Sequence, residues 1–194
     1  MLDCIKIIER FCSNSTPLYG VLVGHSSQVT DMAVAIARWL TARGEVVDTD
    51  FVAQAAMLHD IGIVGVDAPS IHCHGSEPYI CHGVLGRQML EQLGLPRHAL
   101  VCERHTGAGI TVDDIVSQLL PLPHRDMIPV TIEEQIVCFA DKFFSKNHVG
   151  EPPRDLATAR SKLARFGEAT LRRFDTMCER FVGALSLTPE KDKP

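Results

Sequence analysis

The stretch that most constrains this chain is Ala55-Ala56-Met57-Leu58-His59-Asp60-Ile61-Gly62, an apolar helical run that ends in two adjacent metal-type ligands and is closed by glycine. An ionised carboxylate in a core costs several kcal/mol, on the order of a whole domain's stability, unless another group pairs with it. A metal ion is the simplest such partner. That requirement directs attention to the other His and Asp residues and to the segments that carry them.

Helical periodicity dominates the chain, and strand-like alternation is short and rare. Helices are expected over 3–13 and, after the break at Asn14-Ser15-Thr16-Pro17, over 25–43, where Val29, Met32, Ala33, Ile36 and Leu40 recur at core spacing. Asp48-Thr49-Asp50 offers an N-cap for a third helix over 51–60. The glycine- and proline-bearing stretch from Ile61 to Ser76 reads as a loop of about 15 residues, a length that often serves function. Further helices are expected from Ser76 to Gly94, from Pro96 to near Gly107, and over 113–119. Another runs from Thr131 to about Lys146, opened by Thr131 with Glu134 three residues on. Residues 154–185 carry helical pattern again, with a bend at Gly167, and are expected to pack back onto the main bundle. The reading is one domain over 1–187, its core about 20–147, with a flexible tail over 188–194.

The ligand candidates fall on the apolar faces of these segments. His25 lies four before Val29, His59 four after Ala55, and His105 four after Val101. His82 belongs to the series Tyr79, His82, Gly86, Met89, and Asp141 lies four after Val137. Residues three and four apart share a helix face, so each polar side chain takes a slot where a core residue is expected. A single His on an apolar face is more often a satisfied core histidine than a ligand. The same oddity on five segments points instead to one shared metal site.

Taken together, His25, His59-Asp60 and Asp141 resemble the H…HD…D signature of the HD superfamily of metal-dependent phosphohydrolases, and residues 56–62 resemble its HDIG form. His82-Gly83-Val84-Leu85-Gly86 is similar to the His-x-x-x-Gly element of two-metal members, Glu103-Arg104-His105 to their further histidine, and Ala140-Asp141-Lys142 to the closing Ala-Asp-Lys. The resemblance covers about 20–147. It implies an all-α HD-domain helical bundle and a dinuclear site with His25, His59, Asp60, His82, His105 and Asp141 as ligands. In it Asp60 is the catalytic bridge, with His25, His59 and Asp141 on one ion and His82 with His105 on the other. It also implies hydrolysis of a phosphomonoester or phosphodiester of a nucleotide or small metabolite by metal-activated water, with no protein nucleophile. The alternative it carries is an HD-type di-iron oxygenase acting on a small organic substrate. Mixed imidazole and carboxylate ligands suit iron or manganese first, with nickel, zinc or magnesium also compatible. Two departures stand out. Ile63 follows the glycine where many HDIG proteins carry Lys, and Thr106-Gly107-Ala108-Gly109-Ile110 replaces the Gly-Tyr-Pro element of cyclic-dinucleotide phosphodiesterases.

Around these ligands, Lys142 reads either as a catalytic, phosphate-holding cation or as a supporting ion pair for Asp141. Arg87 and Arg104 read either as phosphate contacts or as solvated helix faces. His72 and His74 are candidates to line a substrate pocket, Glu103 is a supporting or exposed group, and His98, His124 and His148 are expected on the surface. Elsewhere the sequence is plainer. A net charge of −5 gives no nucleic-acid footprint. Seven scattered cysteines without a CxxC pair read as reduced core residues, not a zinc finger or disulfide framework. No signal peptide and no apolar run of ~20 residues is seen, so a cytoplasmic protein with no membrane partner is expected. The expected partner is a small phosphorylated substrate, and a homo-oligomer is compatible with the sequence.

Overall fold

The computed structural model describes residues 2–185. The segment expected as a flexible tail, 188–194, lies outside the described residues. The described chain is an all-α bundle of nine α-helices with a three-stranded sheet of very short strands. The helices are α1 (Cys4–Glu9), α2 (Pro17–Thr41), α3 (Thr49–Leu58), α4 (His82–Gln92), α5 (Pro96–Arg104), α6 (Val112–Ser117), α7 (Ile132–Asp141), α8 (Leu156–Ala164) and α9 (Glu168–Leu185). The strands are β1 (Val66–Ala68), β2 (Cys73–His74) and β3 (Glu77–Pro78).

Local chemistry explains most of the boundaries. Thr16, read above as part of a break, caps α2 by accepting from the Tyr19 N–H, and Pro17 follows at the first turn, where its missing donor costs nothing. Within Asp48-Thr49-Asp50 it is Asp48 that caps α3, so the helix starts at Thr49, two residues before the expected 51. Thr131 accepts from the Glu134 N–H, but the Glu134 carboxylate takes the Val130 N–H and Arg104 rather than completing the box. Gly167, at φ +99°, ends the helical run between α8 and α9, so the expected bend is a break. The helix expected from Ser76 begins only at His82, because Glu77 and Pro78 pair parallel to Val66 and Asp67 of β1. β1 also pairs antiparallel with β2, Asp67 opposite His74. The stretch expected as an irregular loop thus carries this sheet, flanked by 3-10 turns at Ile61–Gly65, Pro69–Ile71 and Tyr79–Cys81.

Two main cores fill the bundle. One gathers α2, α3, α7, α8 and α9 around Phe139, whose ring meets those of Phe143, Phe174 and Phe181 at 5.0, 5.5 and 5.5 Å. The other joins α1, the start of α2, the Ile61–Gly65 turn, α4 and α5 through Ile8, Leu22, Leu58, Ile61, Leu90 and Cys102. Each such buried side chain contributes roughly 1.5–3 kcal/mol. The seam between the cores passes through the ligand-bearing positions. Leu22 and Val29 flank His25 from opposite cores, Ala56 and Leu58 do the same before His59, and Val101 and Cys102 before His105.

At that seam backbones touch directly. A Cβ on Gly62 would sit 2.0 Å from the His82 carbonyl oxygen and 2.4 Å from the Gly86 nitrogen. A Cβ on Gly83 would sit 2.7 Å from the Cys102 carbonyl oxygen. Only glycine allows α4 to lie this close to the HD turn and to α5.

Candidate metal centre

Most of the six ligand candidates stand at helix ends rather than mid-face. His59 and His105 cap the C-termini of α3 and α5, Asp141 ends α7, His82 opens α4, and only His25 lies inside a helix. Three helices therefore present their carbonyl-rich, partly negative ends to one point, an arrangement that favours a cation there.

The side chains converge. Asp60 is fully buried, and its two oxygens face different neighbours. Oδ2 lies 3.1 Å from His25 Nε2 and 3.0 Å from His59 Nε2. Oδ1 lies 3.3 Å from His105 Nε2 and 3.6 Å from His82 Nε2. Asp141 Oδ1 joins the first set at 3.0 Å from His25 Nε2 and 3.5 Å from His59 Nε2. The result is two overlapping groups, His25–His59–Asp60–Asp141 and Asp60–His82–His105, with ligand atoms within 4.8 Å of one another in each.

The donor set fits divalent ions. His59, His82 and His105 each place Nδ1 at 2.7 Å from the carbonyl oxygen three residues earlier, of Ala56, Tyr79 and Cys102. With Nδ1–H donating to that carbonyl, the lone pair of Nε2 faces the cluster, which is the tautomer a metal needs. His59 Nε2 and Asp60 Oδ1 are buried without an aligned hydrogen bond, an expensive arrangement for a protein to keep without a further partner. Charge differs across the cluster. Burial, reinforced by His105, pushes the His82 imidazole down to about 3, and burial lowers His105 as well. Burial also opposes charge on His59, yet the Asp60 and Asp141 carboxylates beside it hold its proton up to about 9. Burial likewise opposes ionisation of Asp60 and Asp141, but His59 and Lys146 for the first, and Lys142 and Lys146 for the second, keep both carboxyls well below the usual range.

The cluster opens onto a cavity of about 570 Å³, walled by apolar and aromatic groups including Tyr79, Ile80, Ile110, Phe144, Leu163 and Phe166. Lys142 lines it, but its ammonium donates to Asp141 Oδ2 at 2.8 Å and to the His105 carbonyl at 2.9 Å. The remaining sequence candidates stand apart from the cavity. Arg87 is engaged by Glu91 and by the buried carboxylate of Glu103 at 2.8 and 2.5 Å, and Arg104 by Glu134 at 2.9 Å. Arg87 and Arg104 are thus fastened to carboxylates rather than free for a phosphate. Glu103 is buried and also takes Arg125. His72 and His74 are exposed on the small sheet and do not line the cavity, whereas Ser70 and Ile71 just before them do. His98, expected on the surface, is buried against the Phe51 ring at 4.8 Å with Gln54 within hydrogen-bond reach. Ile63 is buried in the second core, so position 63 does not face the cavity. One residue that sequence reasoning passed over, Lys146, reaches into the cluster and stands 2.6 Å from Asp60 Oδ2.

All seven cysteines are unpaired, and among the described residues no helix is long and apolar enough to cross a membrane.

Comparison with known proteins agrees with this geometry. The HD domain family model matches residues 22–145. The uncharacterized protein MJ0778 of Methanocaldococcus jannaschii is 36% identical over 138 residues, covering 71% of this chain and 70% of that protein. Two proteins named tRNA (cytidine(56)-2'-O)-methyltransferase, from Thermoplasma volcanium and Picrophilus torridus, are 35% and 32% identical. Those matches take in 73% and 76% of this chain but span only 38% and 37% of the methyltransferases' own length. Among solved structures, the HD domain of the L. monocytogenes phosphodiesterase PgpH superposes with a TM-score of 0.52 at 13% identity, over 96% of this chain and 98% of that one. The same domain in complex with cyclic-di-AMP gives 0.54 at 13% identity, over 97% and 99%. This likeness is one of fold. On the match over 22–145 and the archaeal relative, the chain belongs to the HD-domain family.

Proposed function

We propose that this chain is a metal-dependent phosphohydrolase that cleaves a phosphomonoester or phosphodiester of a nucleotide or other small metabolite, with two divalent ions held by six residues. The observation that supports this best is the two-sided Asp60, whose oxygens face separate ligand groups at the base of a largely apolar, solvent-open cavity. His25, His59 and Asp141 with Asp60 Oδ2 would hold one ion, and His82 and His105 with Asp60 Oδ1 the other. Bound ions supply Lewis acidity, turning water into a nucleophile at neutral pH and offsetting phosphoryl charge. The chain does the rest. The carbonyls of Ala56, Tyr79 and Cys102 fix three imidazoles in orientation. Lys142 holds Asp141 by the oxygen turned away from the cluster. The cavity has room for a leaving group of nucleotide size, since ligand pockets commonly run about 300–1,000 Å³. Iron and manganese remain the leading candidates for the ions.

The test begins with the metal content of protein purified without added metal. Manganese-reconstituted protein is then assayed without oxygen against a panel of phosphomonoesters and phosphodiesters that includes cyclic dinucleotides, the ligand class of the PgpH complex. Phosphate-ester cleavage under these conditions supports the proposal. Strict dependence on iron and O₂, with no ester cleaved under any metal, sinks it and promotes the di-iron oxygenase.

A further inference from the structure

Two lysines reach the centre, and they are held differently. Lys142 donates to Asp141 Oδ2 and to a backbone carbonyl. Neither acceptor belongs to the ligand atoms that face the cluster, so its bonds and an ion are compatible. Lys146 lies five residues past Asp141, on a 3-10 turn at the cavity wall, with its side chain only 12% exposed. Its ammonium stands 2.6 Å from Asp60 Oδ2, and among the described residues Asp60 is the one carboxylate with which it forms an ion pair. That oxygen is itself a member of the His25–His59–Asp60–Asp141 group. Beyond it the ammonium has the face of Tyr79, 5.9 Å from the ring centroid.

An ammonium and a divalent ion on the same carboxylate oxygen draw on the same electron density and repel each other. An ion at Asp60 Oδ2 therefore weakens the hold of that oxygen on Lys146. Its stem is packed into the cavity wall, so the charge stays inside, and a buried ammonium without an anion is costly. The cavity's other lining carboxylates are already engaged, Asp141 by Lys142 and Asp114 by Arg173. The counter-charge must therefore arrive with the ligand. Position 63, buried in the core, offers no cation here.

Resting on the metal-dependent reading above, we propose that Lys146 is the phosphate-binding residue of this site, competing with the metal for Asp60 Oδ2 until substrate arrives. Its two partners predict opposite responses to one substitution. Manganese affinity of chelator-stripped protein, and inorganic phosphate affinity of the manganese-loaded protein, are measured by calorimetry for the wild type, Lys146→Gln and Lys146→Met. The methionine variant keeps the apolar stem and serves if the glutamine variant does not fold, as judged by helical circular dichroism. Loss of the ammonium should make manganese bind severalfold tighter. It should weaken phosphate by about tenfold to a hundredfold, the worth of a hydrogen bond to a charged group. A drop in both affinities would mean that Lys146 merely supports the ligands, and unchanged phosphate affinity would remove it from the binding machinery. Either result overturns the inference while leaving the hydrolase reading intact. A wild-type protein that takes up no divalent ion overturns both.

Discussion

The two halves of the His/Asp cluster share Asp60 yet are built on different principles. On the His82–His105 side both imidazoles are tied through Nδ1 to carbonyls of their own preceding turns and are kept neutral by burial. That half is a neutral donor pair waiting for a cation. On the His25–His59–Asp141 side, two carboxylates are balanced by Lys142, Lys146 and the elevated His59. That half is already charge-compensated, so on the proposed reading an ion entering it would meet a proton on His59 and the ammonium of Lys146. The difference teaches that a complete ligand list does not make two equivalent sites: one half is ordered by backbone, the other by charge.

Replacing Asp60 with Ala should have the largest effect, because it removes the one group common to both halves. Turnover should vanish and the metal content should fall by at least one ion per chain. Retention of two ions and full activity would dismantle the dinuclear assignment. Next, His82→Ala and His105→Ala should bring stoichiometry from about two ions toward about one, and His25→Ala should empty the other half, in keeping with a two-metal site. Metal analysis that shows no change in both the His82 and His105 variants would reduce the centre to a single ion.

A third substitution attacks the backbone ordering of the first half. Gly62→Ala forces a methyl into the His82 carbonyl and the Gly86 nitrogen. It should cost about 3 kcal/mol or more in urea unfolding, the upper range for overpacking, and lose the His82 ion first. Normal stability with two ions would show that the contact is slack. Lys142→Gln attacks the charge ordering of the second half. It should weaken metal binding there by about 10–100-fold, the usual loss when a group that holds a ligand is removed, with a smaller loss in the His82 half, which Lys142 touches only through the His105 carbonyl. The smallest effect is expected for Arg87→Gln, which leaves Glu103 with Arg125 as its remaining partner. It should lower stability by about 1–2 kcal/mol and leave KM unchanged. A raised KM would return Arg87 to the substrate site.

Five of the six cluster residues were legible because each breaks an apolar stripe that the neighbouring residues define, and Asp60 because it adjoins His59. Their position at helix ends was less legible, since a stripe carries on past the last hydrogen-bonded turn: Tyr79 continues the spacing of α4 yet lies outside it. For Arg87 the sequence left two readings open, and helix geometry bears on the choice. Five residues past His82, at about 100° per residue, it lies on the far side of the helix. The start of α2 was also recoverable, because Thr16 followed by Pro17 is a capping signal as much as a break. Lys146 and His98 were not recoverable. Lys146 lies beyond the end of α7, where periodicity has stopped, and His98 owes its burial to Phe51 and Gln54, more than forty residues earlier. The strands of the small sheet, two or three residues each, are too short for alternation to register.

The bare contact of Gly62 with the His82–Gly86 segment sets how tunable this centre is. Side chains can rotate and repack, whereas peptide planes resist deformation. The gauge between the HD turn and the opening of α4 is thus cut in the stiffest material the chain possesses. Substitutions around the Phe139 aromatic core can erode or raise thermal tolerance while that gauge holds its setting. Moving the His82 end of the cluster relative to the HD turn would require altering the glycines themselves, where even one added carbon meets backbone. The spacing of the cluster is thus held by main chain, and the cavity beside it is shaped by side chains that are free to change.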